Sequence, residues 1–179
     1  MTFSENDGIG EDGVFRLAAA TGAELKRLGL LAVTAESCTG GLISAAFTAV
    51  PGSSEWFDRA FVTYSNAAKT EMLGVGEDTL RERGAVSEET VREMSLGALR
   101  HSRGDIAVAV SGIAGPGGGT PEKPVGTVYL SWAFRGEVFE TFRAAFSGDR
   151  EAVRKQTVIK ALSVILEFCR NKDKNNLQT

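Results

Sequence analysis

The spacing of hydrophobic residues in the first third of the chain predicts helices that alternate with strands. Residues 12–28 carry apolar side chains at helical spacing, and Gly29 supplies a stop signal. Residues 30–35 form an apolar run that predicts a buried strand, and residues 40–50 return to helical spacing. Residues 59–64 alternate in a way that is typical of a second strand.

The middle of the chain is predicted to be helical. Asn66 is expected to cap a short helix that extends to Leu73, and residues 78–83 predict another short helix. A longer amphipathic helix is predicted to begin at Ser87, with acidic residues in its first turn, and to end at Gly104.

The last third begins with a strand and a loop. Residues 105–111 form a continuous apolar run, which is typical of a central strand that is covered on both faces. Residues 112–124 contain five glycines and three prolines, so they predict a long loop, and loops of this length are usually functional or disordered. Residues 125–134 and 137–146 predict two strands, joined by a tight hairpin at Arg135-Gly136.

This order of elements predicts an α/β fold. A last helix capped by Asp149 completes a three-layer α/β/α sandwich with a mixed, mostly parallel sheet. At 179 residues the chain fits one domain, which we place at residues 12–170. A flexible leader is expected at residues 1–11 and a polar tail at residues 171–179.

Composition excludes several classes of protein from the prediction. A net charge of −3, without a basic block interleaved with aromatic residues, argues against binding to nucleic acid. No apolar run reaches the roughly 18 residues of a membrane-spanning helix, and the N-terminus has no signal-peptide layout. Cys38 and Cys169 form no CxxC pair, and the sequence lacks metal-ligand spacing such as HxH or HExxH. We therefore expect a cytoplasmic protein without contact to a membrane.

A nucleophile is suggested by the turn that follows the first strand. Ser37 and Thr39 place hydroxyls there, and Gly40 and Gly41 would let a ligand approach the backbone closely. The first N–H groups of a helix have no partner within it and attract anions. The turn is either a nucleophile beside an anion hole or an ordinary hydroxyl cap followed by two packing glycines.

Two side chains are candidates for the chemistry around Ser37, which are Lys69 as a base and Cys38 as a rival nucleophile. His101, the only histidine, lies near the end of a helix, so a serine–histidine pair is not expected. Lys69 could act as the base if burial lowers its pKa, although a surface lysine is the simpler interpretation from the residues alone. Cys38 is a rival nucleophile because a helix N-terminus would acidify its thiol; otherwise it is a small buried residue.

Three segments that follow predicted strands are expected to meet at the carboxyl edge of the sheet. They are residues 37–41, residues 64–69 and the glycine-rich loop from Ser111. The loop could hold a phosphate or carboxylate through backbone N–H groups, or it could be a mobile turn. Arg150, at a helix start, indicates either an anionic ligand or a surface charge.

Five stretches of the sequence together resemble the CinA C-terminal domain family, whose single-domain members are nicotinamide-nucleotide amidohydrolases of the PncC type. The resemblance covers about residues 12–168, and the matching stretches are AESCTGG at 35–41, PGSSEWFDRAFVTYSNAAK at 51–69, GAVSEETVREM at 84–94, SGIAGPGGGTPEKPVGTVY at 111–129 and GDREAVRKQ at 148–156. Several motifs in order are more specific than any one of them alone.

The resemblance implies hydrolysis of the carboxamide of nicotinamide mononucleotide to nicotinate mononucleotide and ammonia, without metal or cofactor. It makes Ser37 the nucleophile and Lys69 the base, and so favours a buried Lys69. The residues that it implies for the oxyanion and the nucleotide substrate are Cys38, Thr39, Gly40, Gly41, Tyr64, Asn66, Ser111, Gly112, Gly115 and Arg150. A small enzyme of this kind is expected to form a homo-oligomer.

The chain departs from the family pattern in two places. The family often has Phe-Pro-Gly-Asp-Arg before the last helix, whereas residues 146–150 here read Phe-Ser-Gly-Asp-Arg. Longer relatives carry an additional N-terminal domain, for which this sequence has no counterpart. The alternative to an enzyme is a non-catalytic nucleotide-binding or protein-interaction module linked to competence or DNA damage.

Overall fold

A computed structural model describes residues 11–176, so most of the predicted leader and the last three residues lie outside the described part. The helices of this part are α1 Glu11–Leu28, α2 Leu42–Thr48, α3 Asn66–Leu73, α4 Glu77–Arg83, α5 Glu88–Arg100 and α6 Arg150–Asn176. The strands are β1 Ala32–Glu36, β2 Phe57–Val62, β3 Ile106–Gly112, β4 Thr127–Phe134 and β5 Glu137–Ala145, with a 3-10 turn at Ser53–Glu55.

The five strands form one mixed sheet in the order β2-β1-β3-β4-β5. Strand β1 pairs in parallel with β2 and β3, while β4 pairs antiparallel with β3 and β5. Strand β4 is therefore the one strand that runs against the other four, which confirms the predicted mixed, mostly parallel sheet. The carboxyl ends of β2, β1 and β3 meet along one edge.

The central strand β3 supplies both hydrophobic cores, because successive side chains of a strand point to opposite faces. Ile106, Val108 and Val110 join a core that contains buried residues of α1, α2 and α6. Ala107 and Ala109 face a second core that contains buried residues of α3 and α5. The continuous burial predicted for this strand is confirmed, and the helices on both faces give the predicted three layers.

Several caps form as the sequence predicts. Gly29 adopts a φ of 64° after α1, and the Asp149 carboxylate accepts a hydrogen bond from the Ala152 N–H at the start of α6. The hairpin between β4 and β5 turns at Arg135 and Gly136, both at positive φ, as a type I′ turn requires.

Three predicted helix boundaries are wrong. Ser65, not Asn66, caps α3, since the Ser65 hydroxyl accepts from the Ala68 N–H at 3.0 Å. Helix α5 ends at Arg100, well before Gly104, where a β-carbon would lie 2.7 Å from Val33. The glycine at 104 therefore serves close packing on β1. Helix α6 continues through Asn176, because a polar composition does not by itself end a helix.

Within the described residues, no helix is long and apolar enough to cross a membrane. The same part of the chain contains no group of three or more histidine, cysteine, aspartate or glutamate side chains that could hold a metal ion.

Candidate active site

The predicted segments meet in a cavity of about 200 Å³ at the carboxyl edge of the sheet. Ser37 follows β1, Tyr64 follows β2, and Ser111 is the second-last residue of β3, so three neighbouring parallel strands bring them to one place. The cavity is lined by Ser37, Cys38, Tyr64, Lys69, Ala85, Val86, Ser111, Gly112, Ala114 and Arg150.

A hydrogen bond of 3.1 Å joins the Lys69 Nζ to the Ser37 Oγ at the bottom of this cavity. The Lys69 side chain is 1% exposed, and its Nζ also donates to the Thr63 carbonyl oxygen at 2.7 Å. Ser37 is held by its own backbone N–H, which donates to the Val110 carbonyl oxygen of β3. The two side chains that the sequence nominates as nucleophile and base are therefore in direct contact.

Helix α3 brings Lys69 to Ser37 because it packs closely on α5. A β-carbon at Gly97 of α5 would collide with the Leu73 carbonyl oxygen at the end of α3, so only glycine allows this approach. Leu73 is fully buried in the core shared with Met94 and Ala98 of α5. Lys69 lies one turn before Leu73 and so faces inward with it.

Burial lowers the pKa of the Lys69 amine, since a charged ammonium loses its hydration in the protein interior. A neutral amine at 3.1 Å from a hydroxyl can accept its proton. The pair therefore has both the contact and the direction of pKa shift that a serine–lysine nucleophile requires.

For Cys38, the alternative nucleophile, the pKa shift disfavours the reactive thiolate form. Burial, its main cause, raises the pKa of the Cys38 thiol to about 11, and the neighbouring Glu36 carboxylate adds to the rise. This direction is opposite to the acidification that a helix N-terminus would give. A buried thiol with a raised pKa is a poor nucleophile at neutral pH, which favours Ser37 over Cys38 as the reactive group.

Glu36, which sequence reasoning missed, occupies the N-terminal end of α2. Its side chain is fully buried, and its two carboxylate oxygens accept five hydrogen bonds. The donors are the Thr34 and Thr39 hydroxyls and the backbone N–H groups of Gly41, Ile43 and Ser44, at 2.7–3.1 Å. A glutamate that ends an apolar strand just before a glycine-rich helix start was the sequence signal that could have indicated this role.

Glu36 changes the expected position of the anion hole. The Gly41 amide and the Thr39 hydroxyl bind Glu36, and the Gly40 amide donates to the Ser37 carbonyl oxygen. These groups hold the turn together and are not free for a substrate oxyanion. Within residues 11–176, the backbone N–H groups of Cys38 and Thr39 donate to no backbone carbonyl oxygen, which makes them the candidate oxyanion donors beside Ser37.

Arg150 links two of the predicted substrate-binding elements. Its guanidinium donates to the Tyr64 hydroxyl at 3.1 Å and to the Gly115 carbonyl oxygen at 2.9 Å, so Gly115 contributes through its backbone. Ser111 and Gly112 line the cavity as predicted. Asn66 lies outside the cavity lining with an exposed side chain, because it occupies the first turn of α3 rather than its inward face.

Two other contributions were missed. Arg154, one helical turn after Arg150, donates to the Thr39 carbonyl oxygen at 2.9 Å and so fixes the nucleophile turn to α6. Ala85 and Val86 form an apolar wall of the cavity from the connection between α4 and α5. Small apolar residues in a connection carry no sequence signal for a site.

Together, the fold and the site define an α/β protein with a buried serine–lysine pair at the carboxyl edge of a mixed sheet. A profile of the CinA C-terminal domain matches residues 14–169. The chain therefore belongs to the CinA C-terminal domain family.

Named relatives cover most of the chain. It is 54% identical over 164 residues to the nicotinamide-nucleotide amidohydrolase PncC of Enterobacter agglomerans, which covers 91% of this chain and all of that protein. A CinA-like protein of Akkermansia muciniphila is 54% identical over 151 residues, 84% of this chain but 36% of that longer protein. The crystal structure of the competence/damage inducible protein CihA from Agrobacterium tumefaciens matches with a TM-score of 0.84 at 45% identity, over 93% of this chain and 98% of that one.

Proposed function

We propose that this chain hydrolyses the carboxamide of nicotinamide mononucleotide and releases nicotinate mononucleotide and ammonia. The observation that carries the proposal is the 3.1 Å contact between Ser37 and the buried Lys69 in an open cavity. The substrate is suggested by the relatives named nicotinamide-nucleotide amidohydrolase, which are more than 50% identical over most of the chain.

The first half of the proposed reaction forms an acyl-enzyme. Neutral Lys69 takes the proton of the Ser37 hydroxyl as Oγ bonds to the carboxamide carbon. The carbonyl oxygen becomes an oxyanion against the N–H groups of Cys38 and Thr39, and each such donor is worth roughly 10²–10³ in rate. Protonated Lys69 then gives its proton to the amide nitrogen, the C–N bond breaks, and ammonia leaves.

The second half restores the enzyme. Lys69 takes a proton from water as the water oxygen attacks the ester carbon of the acyl-enzyme. The bond between this carbon and the Ser37 Oγ breaks, and Lys69 returns the proton to Oγ. The products are the carboxylate and a regenerated serine, so water and amide are consumed in equal amounts.

Substrate orientation follows from the surroundings of the pair. The planar pyridine ring would lie against the apolar wall of Ala85 and Val86, which places its carboxamide near Ser37. Arg150, the exposed arginine of the cavity lining, would bind the nucleotide phosphate. Tyr64 would hold this guanidinium in place through its hydroxyl.

The test is an ammonia assay with nicotinamide mononucleotide, run on the wild type, Ser37→Ala and Lys69→Met. We expect ammonia and nicotinate mononucleotide in equal amounts from the wild type, and neither from the two variants. Ser102→Ala serves as the matched control, because the Ser102 hydroxyl bonds the Gly104 N–H far from the cavity. It should retain full turnover.

Two results would contradict the proposal in different ways. Retained turnover in Lys69→Met would remove this residue from the role of base. Binding of nicotinamide mononucleotide by the wild type without ammonia, at several pH values, would instead support a nucleotide-binding module.

A further inference from the structure

A lysine of the glycine-rich loop reaches across to the opposite wall of the cavity. The Lys123 Nζ donates to the Val86 carbonyl oxygen at 2.7 Å and to the Arg83 carbonyl oxygen at 3.3 Å. Val86 lines the cavity, whereas Lys123 itself does not. The bond therefore connects the loop after β3 with the connection between α4 and α5, two segments that no strand pairing joins.

The Ala85–Val86 wall makes few other hydrogen bonds with the described part of the chain. The Gly84 carbonyl oxygen accepts from the Ser87 and Thr90 hydroxyls, which fixes the start of α5. Within residues 11–176, the Val86 carbonyl oxygen accepts a hydrogen bond from Lys123 and from no other group. The position of this wall relative to Ser37 thus depends on Lys123.

The loop end of this connection is itself well held. The Thr120 N–H donates to the Lys123 carbonyl oxygen, and the Lys123 N–H donates to the Thr120 hydroxyl, which closes a tight turn. Arg143 of β5 donates to the Glu122 carbonyl oxygen at 2.8 Å and ties this turn to the sheet. The two Thr120–Lys123 hydrogen bonds hold the Lys123 backbone within the turn without help from Arg143, so the Lys123 side chain can fix Val86 even where the tie to the sheet is removed.

We propose that Lys123 is a positioning residue that sets the width of the cavity between the Ala85–Val86 wall and the Ser37–Lys69 pair. Lys123 would determine how closely the cavity fits the planar pyridine ring of the substrate, without contacting the reacting atoms. The inference rests on the proposed function for its substrate, and on the hydrogen bonds of Lys123 for its mechanism. Its signature is a change in KM with little change in kcat, as expected when binding alone is weakened.

The experiment compares Lys123→Met, Lys123→Arg and Arg143→Met. Methionine keeps the length of the side chain but removes the donor, and arginine restores a cationic donor. Arg143→Met is the matched control, because it releases the same turn from the sheet and leaves the bond to Val86 in place. Steady-state kinetics with nicotinamide mononucleotide are combined with hydrogen exchange of a peptide that spans residues 80–91.

For Lys123→Met we expect KM to rise about fivefold or more, the factor that corresponds to one net hydrogen bond, with kcat within about twofold of wild type. Lys123→Arg should recover most of the loss, and Arg143→Met should leave KM unchanged. Exchange of the 80–91 peptide should be faster in Lys123→Met than in either other variant.

The failures are distinguishable. If the wild type releases no ammonia, the proposed function fails, and the exchange data alone decide whether Lys123 holds the wall. If the wild type is active and Lys123→Met keeps a wild-type KM, the inference is wrong. It is equally wrong if kcat falls as much as kcat/KM, or if Arg143→Met has the same effect.

Discussion

At the scale of single residues, burial of Lys69 lowers the pKa of its amine and makes stability depend on pH. The pKa of the folded-state amine lies below the ordinary value of 10.5, because burial disfavours the ammonium. Between the two pKa values the unfolded chain binds more protons than the folded one. The free energy of unfolding therefore rises with pH across that window, and this gain is complete above 10.5.

The first prediction concerns the pH dependence of turnover and stability. We expect kcat/KM for nicotinamide mononucleotide to increase with pH as Lys69 loses its proton, with a midpoint below 10.5. Urea titrations from pH 7 to pH 10 should show wild-type stability increasing relative to Lys69→Met, which lacks the titrating amine. A midpoint at or above that of an ordinary lysine, or parallel stability curves for the two proteins, would contradict the assignment.

The second prediction is that the Cys38 side chain is dispensable. Its thiol is buried, with a pKa raised to about 11, and the group we assign to the oxyanion is its backbone N–H. Cys38→Ala should thus keep kcat within about tenfold of wild type, the change reflecting packing rather than chemistry. Iodoacetamide at neutral pH should leave the wild type active, and rapid inactivation that tracks Cys38 alkylation would argue for a reactive thiol.

The site residues differ in how well the sequence alone predicted them. Ser37 could be nominated because hydroxyls and glycines at a strand-to-helix turn are a recognisable pattern. Lys69 could not be settled from the residues alone, because its burial depends on α3 packing against Gly97, more than twenty positions away in the chain. Its catalytic role stays a prediction, although the side chain lies where that role requires.

At the scale of elements, the start of α2 depends on a carboxylate supplied by the preceding strand. Glu36 accepts three backbone N–H groups of the first helical turn and two threonine hydroxyls. The helix dipole favours this negative charge, and the charge in turn fixes the turn that carries Ser37.

The third prediction compares two substitutions in this cap. Glu36→Gln replaces the acceptor oxygens by one oxygen and an amide that faces N–H donors, so we expect a loss of about 2–4 kcal/mol in the free energy of unfolding. Ammonia release should fall with it, because the Ser37 turn loses its support. Thr34→Val removes one of the five bonds without changing shape much, and should cost about 1 kcal/mol while keeping activity. Equal effects of the two changes would refute the special role of Glu36.

Local patterns predicted the kind and order of the elements but not all of their ends. The strands and helices with a strong apolar period were recognised, and the hairpin at Arg135-Gly136 was located to the residue. Gly104 looked like a helix stop because the pattern could not show that Val33 packs against it. Polar residues 170–176 looked like a tail because a helical segment without apolar residues leaves no apolar period to detect.

At the scale of the whole molecule, the sheet separates two cores with different relations to the site. The core beneath α3 and α5 contains Leu73, one turn after Lys69, whereas the core beneath α1, α2 and α6 contains Leu162. Both leucines are fully buried. They therefore contribute similarly to stability but not to the geometry of the serine–lysine contact.

The fourth prediction uses this difference. Leu73→Ala and Leu162→Ala should each lower the free energy of unfolding by about 2–5 kcal/mol, since each leaves a cavity in a packed core. Leu73→Ala should also reduce kcat at a temperature where it is fully folded, because α3 can then shift Lys69 away from Ser37. The measurements are urea denaturation and the ammonia assay; a larger loss of kcat in Leu162→Ala would contradict the assignment of the α3 core to the site.

The architecture was predictable at this scale because alternation of helices and strands constrains topology strongly. The convergence of three segments at one edge followed from the same rule. The sequence did not predict the Ala85–Val86 wall or its hydrogen bond to Lys123, because both depend on loop conformations that composition does not specify.

The Glu36 carboxylate, which the preceding strand places at the start of α2, also affects how dissolved anions compete with the substrate. Because Glu36 takes the N–H groups of Gly41, Ile43 and Ser44, these groups are not available to buffer phosphate, sulfate or chloride. We therefore expect inhibition by such salts to act through Arg150, the one arginine among the described residues that line the cavity. Under the proposed mechanism, Ser37 would stay accessible to an uncharged amide while attracting dissolved anions only weakly.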